Sequence, residues 1–122
     1  MISGSVNDDL KSYVPLTISG PSGSIHVQAL LDTGLNESLT LPPHLVRALG
    51  LTFQATADVI LADGSVTTFD YFAGWVEWEG EVREINVLSS EGGPLLGMAL
   101  VHGCDLHIEM ISGGRVTIVS RS

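Results

Sequence analysis

The sequence predicts an all-β domain with one or two short helices, and its alternating apolar positions are the first reason. Val14, Leu16 and Ile18 alternate with less apolar residues, which is the period of a half-buried strand. The turn-forming segment 20–23 follows, and 25–31 is predicted to return as a second strand. Short strands separated by closely spaced turns are typical of a barrel or a sandwich.

Further along the chain, three pairs of apolar segments flank turn-forming residues and predict three β-hairpins. The strongest signal is Asp63-Gly64, because Asp-Gly favours the backbone angles of a tight hairpin turn. The predicted strand pairs are 59–61 with 66–71, 75–79 with 82–87, and 106–111 with 116–119.

Two segments predict short helices. Segment 42–50 begins with two prolines and ends with Gly50, and proline near the start with glycine at the end is the usual asymmetry of a helix. Segment 97–102 predicts one or two helical turns closed by Gly103. No repeat, linker or low-complexity tract divides the chain, so residues 1–122 are expected to form a single domain.

Composition favours a compact domain and argues against two classes of partner. Hydrophobic residues make up 44% of the 122 residues, which is enough to form a core. The formal net charge of −9 argues against nucleic acid and anionic lipid, because both are recognised by basic surfaces. The apolar runs are far shorter than the about 20 residues of a membrane span. The first residues lack the basic start and apolar stretch of a signal peptide.

Cys104 is the only cysteine, so no disulfide can form within the chain, and a reducing cytoplasm is the expected location. Because His102 and His107 lie nearby, a metal site is the alternative interpretation. Three ligands at this spacing fit no zinc pattern, and strand alternation would place some on opposite faces. We therefore expect a partly buried cysteine with surface histidines, and neither a metal nor another cofactor.

Four glutamates surround the predicted turn at Gly80, namely Glu77, Glu79, Glu81 and Glu84. A solvated hairpin end is the simpler interpretation. A carboxylate pair of the kind that glycosidases use is the alternative, although no other residue supports it.

The segment with the clearest chemical content is Asp32-Thr33-Gly34, which directly follows the apolar run 29–31. A carboxylate at the end of an apolar strand is held rigidly, with its charged end in a cleft. Gly34 has no Cβ and lets another backbone approach closely. The Thr33 hydroxyl can brace the loop through hydrogen bonds. The triplet alone is short enough to occur by chance, so its context decides its meaning.

In context, the triplet resembles the active-site motif of the retropepsin family of aspartic proteases. An apolar pair precedes it, and Leu95-Leu96-Gly97 opens a short helix about sixty residues later. The similarity extends from about Tyr13 to the C-terminus and is strongest to small single-domain bacterial members. The segments that carry it, in order, are Leu39-Thr40-Leu41-Pro42, Leu49-Gly50-Leu51, Leu61-Ala62-Asp63-Gly64 and Leu96-Gly97-Met98.

The resemblance implies a closed barrel with a flap hairpin, and an aspartic endopeptidase that acts on a peptide or an unfolded protein segment. Such enzymes use two carboxylates that share one proton, because two like charges about 3 Å apart cannot both stay ionised. This chain contains only one Asp-Thr-Gly. A homodimer is therefore expected, in which a twofold axis brings Asp32 of both copies together.

The resemblance also assigns roles to other residues. Asp32 would serve as general base and general acid, and Thr33 would brace the two active-site loops across the axis. Gly34 and the backbone at Leu35 and Asn36 would line the floor for substrate. The flap would carry Ala62, Asp63, Gly64 and Ser65 at its tip, closing over the substrate and excluding water. Leu95, Leu96 and Gly97 would pack behind the catalytic loop.

Two features depart from the viral members of the family. These usually carry a small residue and then Asp after the triplet, whereas this chain has Leu35 and Asn36. Leu35 narrows the site, and Asn36 removes a charge that would contact the substrate backbone. The predicted flap tip has one glycine where viral flaps have more, which predicts less mobile closure.

Two functions from different classes remain open at this stage. The first is a working endopeptidase, favoured because the triplet is intact. The second is a dimer of the same fold that binds peptide or only assembles, with weak or no catalysis. The terminal strand around 115–120 is expected to contribute to the dimer contact.

Overall fold

Ten strands and two short helices make up the chain in this computed structural model, which describes residues 1–60 and 63–121. The strands are β1 (Ile2–Val6), β2 (Ser12–Gly20), β3 (Gly23–Leu31), β4 (Leu39–Leu41), β5 (Thr52–Ile60), β6 (Val66–Trp78), β7 (Glu81–Ser89), β8 (Leu95–Leu96), β9 (Cys104–Ile108) and β10 (Arg115–Ser120). The helices are α1 (Pro43–Leu49) and α2 (Met98–Val101).

Six of the strands close into a β-barrel. Hydrogen-bonded neighbours run β6–β7–β4–β8–β3–β2, and β2 pairs again with β6 to complete the ring. Beyond β6 the sheet continues with β5, and beyond β2 it continues with β1, β10 and β9. The predicted all-β class with two short helices is confirmed. Of the two architectures that the sequence left open, the chain forms a barrel.

The first predicted hairpin is formed by β2 and β3, which pair antiparallel from Tyr13–Leu30 to Gly20–Gly23. Val14, Leu16 and Ile18 are each at most 4% exposed, and the residues between them face outward. The alternation that predicted a half-buried strand is therefore confirmed.

The predicted strand pairs 59–61 with 66–71 and 75–79 with 82–87 share one long strand, which corrects the prediction. Segments 66–71 and 75–79 were expected to be separate, yet β6 runs unbroken over 13 residues. Its first half pairs with β5 and most of its length pairs with β7, so Gly74 in the middle does not interrupt it. β5 begins at Thr52, earlier than the predicted 59. The predictions for Leu61 and Ala62 lie outside the described residues.

Both predicted helices are present. α1 ends at Gly50, whose left-handed φ of 66° lets its N–H donate to the carbonyl of Arg47. α2 ends just before Gly103, which has a φ of 83°. The last predicted hairpin is formed by β9 and β10, but β9 stops at Ile108 and residues 109–111 belong to the connection.

Strand β10 lies between β1 and β9, so both of its hydrogen-bonding edges are occupied within the chain. Val116 and Ile118 are fully buried in the core. Removing this strand would therefore open the core of the domain itself, and such a deletion cannot isolate a contact between subunits. The outer edge at this end of the sheet belongs to β9.

The core fills the barrel and continues beneath the helices. Its fully buried side chains with the largest volumes are Ile18, Leu39, Leu41, Leu49, Leu96, Leu100 and Ile118. Leu39 lies at the end of the loop that follows Asp32, and Leu96 lies on β8, which pairs with the strands on both sides of that loop. Burial of their apolar surface therefore helps to fix the position of the loop. Within residues 1–60 and 63–121, no helix combines the length and the apolar character that a membrane crossing requires.

Candidate active site

Asp32 directly follows β3, at the point where three strands meet. β8 pairs parallel with β3 and antiparallel with β4, so it lies between them. The chain leaves β3 at Leu31, forms a loop over 32–38, and returns as β4 on the far side of β8. The Asp32 N–H donates to the Leu96 carbonyl at 3.0 Å, which extends the ladder to the aspartate itself. The backbone of Asp32 is thus hydrogen-bonded to β8, the same strand that pairs with the end of β3.

The Asp32 carboxylate is half-buried and is oriented by its own loop. The Gly34 N–H donates to Oδ1 at 3.0 Å, and the Leu35 N–H donates to the Asp32 carbonyl at 3.1 Å. No hydrogen bond to Oδ2 exists within residues 1–60 and 63–121. One carboxylate oxygen is therefore fixed by the turn, and the other is available to hold or accept a proton.

The loop is braced from behind by β8 and the start of α2. Three backbone hydrogen bonds join the segments, from Gly97 N–H to Ser38 O at 3.0 Å, Met98 N–H to Leu35 O at 2.8 Å, and Ala99 N–H to Glu37 O at 3.2 Å. A Cβ at Gly97 would lie 1.9 Å from the Glu37 carbonyl oxygen. The structure therefore brings Leu95, Leu96 and Gly97 against the Asp32 loop, and only glycine fits at position 97.

Thr40 adds a side-chain brace that the sequence did not point out. It is 4% exposed, and its hydroxyl accepts a hydrogen bond from the Leu95 N–H at 3.2 Å. Fifty-five positions separate the two residues. No local pattern in the sequence signals such a contact.

Thr33 and Gly34 are exposed on the outer surface of the loop. Across the described part of the chain, the Thr33 hydroxyl forms no hydrogen bond. A Cβ at Gly34 would meet only the Asp32 carboxylate oxygen, at 3.4 Å, which is ordinary contact. Within residues 1–60 and 63–121, no side-chain hydrogen bond requires threonine at position 33 and no close contact requires glycine at position 34.

Asp63, Gly64 and Ser65, three of the four predicted flap residues, lie between β5 and β6. Both the N–H and the hydroxyl of Ser65 donate to Asp63 Oδ1, at 2.9 and 2.6 Å, and Gly64 adopts a φ of 84°. The hydroxyl bond, followed by the backbone bond, lowers the pKa of Asp63 below its usual value. All three residues are exposed, and Ala62 lies outside the described residues.

A cavity of about 470 Å³ separates the Asp32 loop from the arm of this hairpin. Its walls are Gly34, Leu35, Asn36 and Glu37 from the loop, Ala57, Asp58, Val59 and Ile60 from β5, and Tyr71 from β6. The structure thus places Gly34, Leu35 and Asn36 along one cavity. Asp63, Gly64 and Ser65 do not contribute to its walls.

Glu37 and Tyr71 connect the two sides of the cavity. The Tyr71 hydroxyl donates to Glu37 Oε1 at 3.0 Å across 34 positions of sequence. Burial, together with the hydrogen bond and the negative charge of Glu37, raises the pKa of Tyr71 to about 12. Tyr71 therefore remains a neutral donor throughout the physiological pH range. Sequence reasoning missed both residues, and no spacing rule could have paired them.

The hydrogen bond between Tyr71 and Glu37 predicts that the Tyr71 hydroxyl loses its proton only at an unusually high pH. The folded pKa of Tyr71 is raised from 10.0 to about 12, so its contribution to stability is complete below pH 10 and is lost as the pH rises through 12. An ultraviolet absorbance titration should show a step near pH 12 that Tyr71→Phe lacks. Glu37→Gln should move this step to lower pH, because the neighbouring charge is gone. A step that persisted unchanged in Tyr71→Phe would contradict the assignment, with circular dichroism checking that the chain stays folded.

The remaining candidates from the sequence are the His102, Cys104 and His107 group and the glutamates around Gly80. His102 and His107 are exposed, and Cys104 is half-buried. Among the described residues, no group of three or more His, Cys, Asp or Glu side chains is arranged to hold a metal ion. The four glutamates around Gly80 are exposed, and Glu79 pairs with the N-terminal ammonium of Met1 at 3.3 Å.

Comparisons with protein-family models, with curated proteins and with solved structures found no match for this chain.

Proposed function

We propose that two copies of this chain form a retropepsin-like aspartic endopeptidase, with one Asp32 from each copy in a shared catalytic centre. The observation that carries the proposal is the placement of Asp32. It directly follows strand β3, its backbone N–H bonded to the Leu96 carbonyl and one carboxylate oxygen bonded to the Gly34 N–H. Fixed carboxylates of this kind are what general acid–base catalysis requires.

The need for a second copy follows from the chemistry. The chain contains a single Asp-Thr-Gly, and the other acid of the loop 32–38, Glu37, is hydrogen-bonded to Tyr71. Thr33 and Gly34 are exposed, and within residues 1–60 and 63–121 the Thr33 hydroxyl has no hydrogen-bond partner; a twofold-related loop would use both residues. The threonine hydroxyl would find a partner there, and the bare Gly34 backbone would allow close approach.

In this dimer the two Asp32 carboxylates share one proton. The ionised carboxylate takes a proton from a water molecule, whose oxygen attacks the peptide carbonyl carbon. The protonated carboxyl group gives its proton to the carbonyl oxygen, which yields a neutral tetrahedral diol. The carboxyl group that took the water proton then gives it to the amide nitrogen as the carbon–nitrogen bond breaks, while one diol hydroxyl passes its proton to the other carboxylate. The products are a carboxylic acid and an amine, and the dyad again holds one proton.

The cavity supports the assignment of a peptide as substrate. It lies directly beside Gly34 and is bounded by the exposed arm of the β5–β6 hairpin. We assign this hairpin as the flap, which closes over the peptide and excludes water from the dyad. Its tip residues, Asp63 to Ser65, stand outside the cavity walls, so they would contact substrate only in the closed state.

Cleavage of an unstructured protein such as casein tests the proposal. Cleavage by the wild type is measured from about pH 3.5 to about pH 7.5 and is expected in the acidic to mildly acidic part of this range, because catalysis needs one carboxyl group protonated. Asp32→Asn should remove activity by a factor of at least about 10³, because the substitution eliminates the base and the shared proton. Sedimentation checks that wild type and Asp32→Asn are both dimers.

The outcomes separate the two functions. Loss of cleavage in an intact Asp32→Asn dimer establishes the dyad. A verified wild-type dimer that cuts no casein, and none of a broad peptide library, would instead support the peptide-binding or assembly module.

A further inference from the structure

The walls of the cavity carry negative charge and no positive charge. Of the nine lining residues, Glu37 and Asp58 are the ionisable acids, and Tyr71 stays neutral. The loop 32–38 and the whole segment 48–82 contain no Lys, Arg or His. Neither element that encloses the cavity can therefore supply a cation from this chain.

Of the two acidic residues in the cavity walls, Glu37 is the better placed to bind a positively charged group. Its side chain is half-buried, and Tyr71 satisfies Oε1 with a neutral hydrogen bond. Oε2 has no hydrogen-bond partner within residues 1–60 and 63–121, and the ion pairs of that part of the chain do not include Glu37. A carboxylate withdrawn from water and held in one orientation binds best to a charged donor.

The other walls suit the stem of a long basic side chain. Leu35, Ala57 and Val59 present apolar surface beside the Glu37 carboxylate. Lys and Arg bury their methylene chains along such surfaces and keep the charged end at a polar group. An acidic side chain would meet like charge instead. Asp58, whose carboxylate accepts from the Thr68 hydroxyl at 2.6 Å, adds attraction from the exposed rim.

We propose that this cavity selects a lysine or arginine side chain of the substrate peptide, with Glu37 as the specificity-determining residue and Tyr71 as the residue that positions it. The proposal rests on the proposed function, since it assigns the chemistry of a substrate side chain in the cavity that begins at Gly34, two residues after Asp32. A symmetric dimer has two such cavities. The preference for a basic residue therefore falls on both sides of the bond that is cut.

Matched unstructured peptides that differ at a single position provide the test. With Lys or Arg at the position that is varied, kcat/KM should be about tenfold higher than with Gln there. The peptide with Glu at that position should have the lowest kcat/KM. Glu37→Gln should reduce the ratio of basic to neutral peptide to about one. Added salt should weaken the wild-type preference for the basic peptide, because the ion pair between half-buried Glu37 and the peptide side chain is screened.

Glu84→Gln is the matched control, because it removes the same charge from an exposed position on β7 that does not line the cavity. It should leave the ratio of basic to neutral peptide unchanged. A preference that fell equally in both variants would reflect the overall negative charge and would overturn the assignment of Glu37.

Peptide binding to the Asp32→Asn dimer separates this inference from the proposed function. Fluorescence anisotropy with the same labelled peptides should show about tenfold tighter binding of the basic peptide, lost when Glu37→Gln is added. If basic peptides bind through Glu37 but wild type cleaves nothing, the inference stands and the endopeptidase proposal fails. If wild type cleaves without a basic preference, the endopeptidase proposal stands and the inference is wrong.

Discussion

An equal mixture of wild-type and Asp32→Asn subunits is expected to cleave casein at about a quarter of the rate of pure wild type at the same total protein concentration. If each active site needs one Asp32 from each copy, random pairing leaves only about one dimer in four with both carboxylates. Mixed dimers lack either the base or the shared proton. With the variant at about nine-tenths of all subunits, activity should fall to about one hundredth.

Independent sites in each chain predict a different curve. Activity would then fall in direct proportion to the wild-type fraction, to about a half and about a tenth in the same two mixtures. Subunits are exchanged by joint refolding, and native mass spectrometry of a tagged variant counts the mixed dimers. Asp9→Asn serves as a control, because Asp9 lies in an exposed turn between β1 and β2. Mixing with that variant should lower nothing, and a linear decline with Asp32→Asn would contradict the shared site.

The parts of the fold that could be predicted are those written into short stretches of sequence. The alternation at Val14, Leu16 and Ile18 reflects one buried and one outward face, so it reports the strand directly. Proline near the start of α1 and Gly50 at its end act through the local backbone. The Asp63-Gly64 turn is equally local, and the hairpin it predicted is present.

Strands without a buried face escaped prediction. β5 begins at Thr52, and nearly all of its residues are exposed because it stands at the edge of the sheet. With no core side to satisfy, its residues need no apolar alternation. β8 failed for another reason. Its two residues, Leu95 and Leu96, become a strand only by pairing with β3 and β4.

The candidate site divides in the same way. The Asp32-Thr33-Gly34 turn and the glycine at position 97 could be recognised as motifs. The hydrogen bond between Tyr71 and Glu37 could not, because it exists only once the barrel places β6 beside the loop. The contact between Glu37 and Tyr71 therefore depends on the tertiary structure, whereas the candidate catalytic residue Asp32 could be recognised from the local sequence.

Replacing Gly97 with alanine is expected to have the largest effect on the candidate site of any single methyl group. The new Cβ would lie 1.9 Å from the Glu37 carbonyl oxygen and 2.8 Å from its carbon. Relief requires the loop 32–38 to separate from α2, which breaks the hydrogen bonds of Leu35 and Glu37 with that helix. We expect a loss of about 3 kcal/mol in the free energy of unfolding, or roughly 10 °C in Tm at matched concentration.

Two further glycines make this effect specific. A Cβ at Gly93 would meet nothing within 4 Å, so Gly93→Ala should leave stability within about 0.5 kcal/mol of wild type. A Cβ at Gly114 would lie 1.9 Å from the Glu109 carbonyl oxygen, in the connection between β9 and β10. Gly114→Ala should therefore destabilise the domain to a similar degree, yet it leaves the Asp32 loop braced. Measured on folded dimer well below Tm, casein cleavage should fall at least about tenfold in Gly97→Ala and stay near wild type in Gly114→Ala. Equal losses in the two variants would mean that Gly97 supports the fold alone and that the geometry of the Asp32 loop does not depend on it.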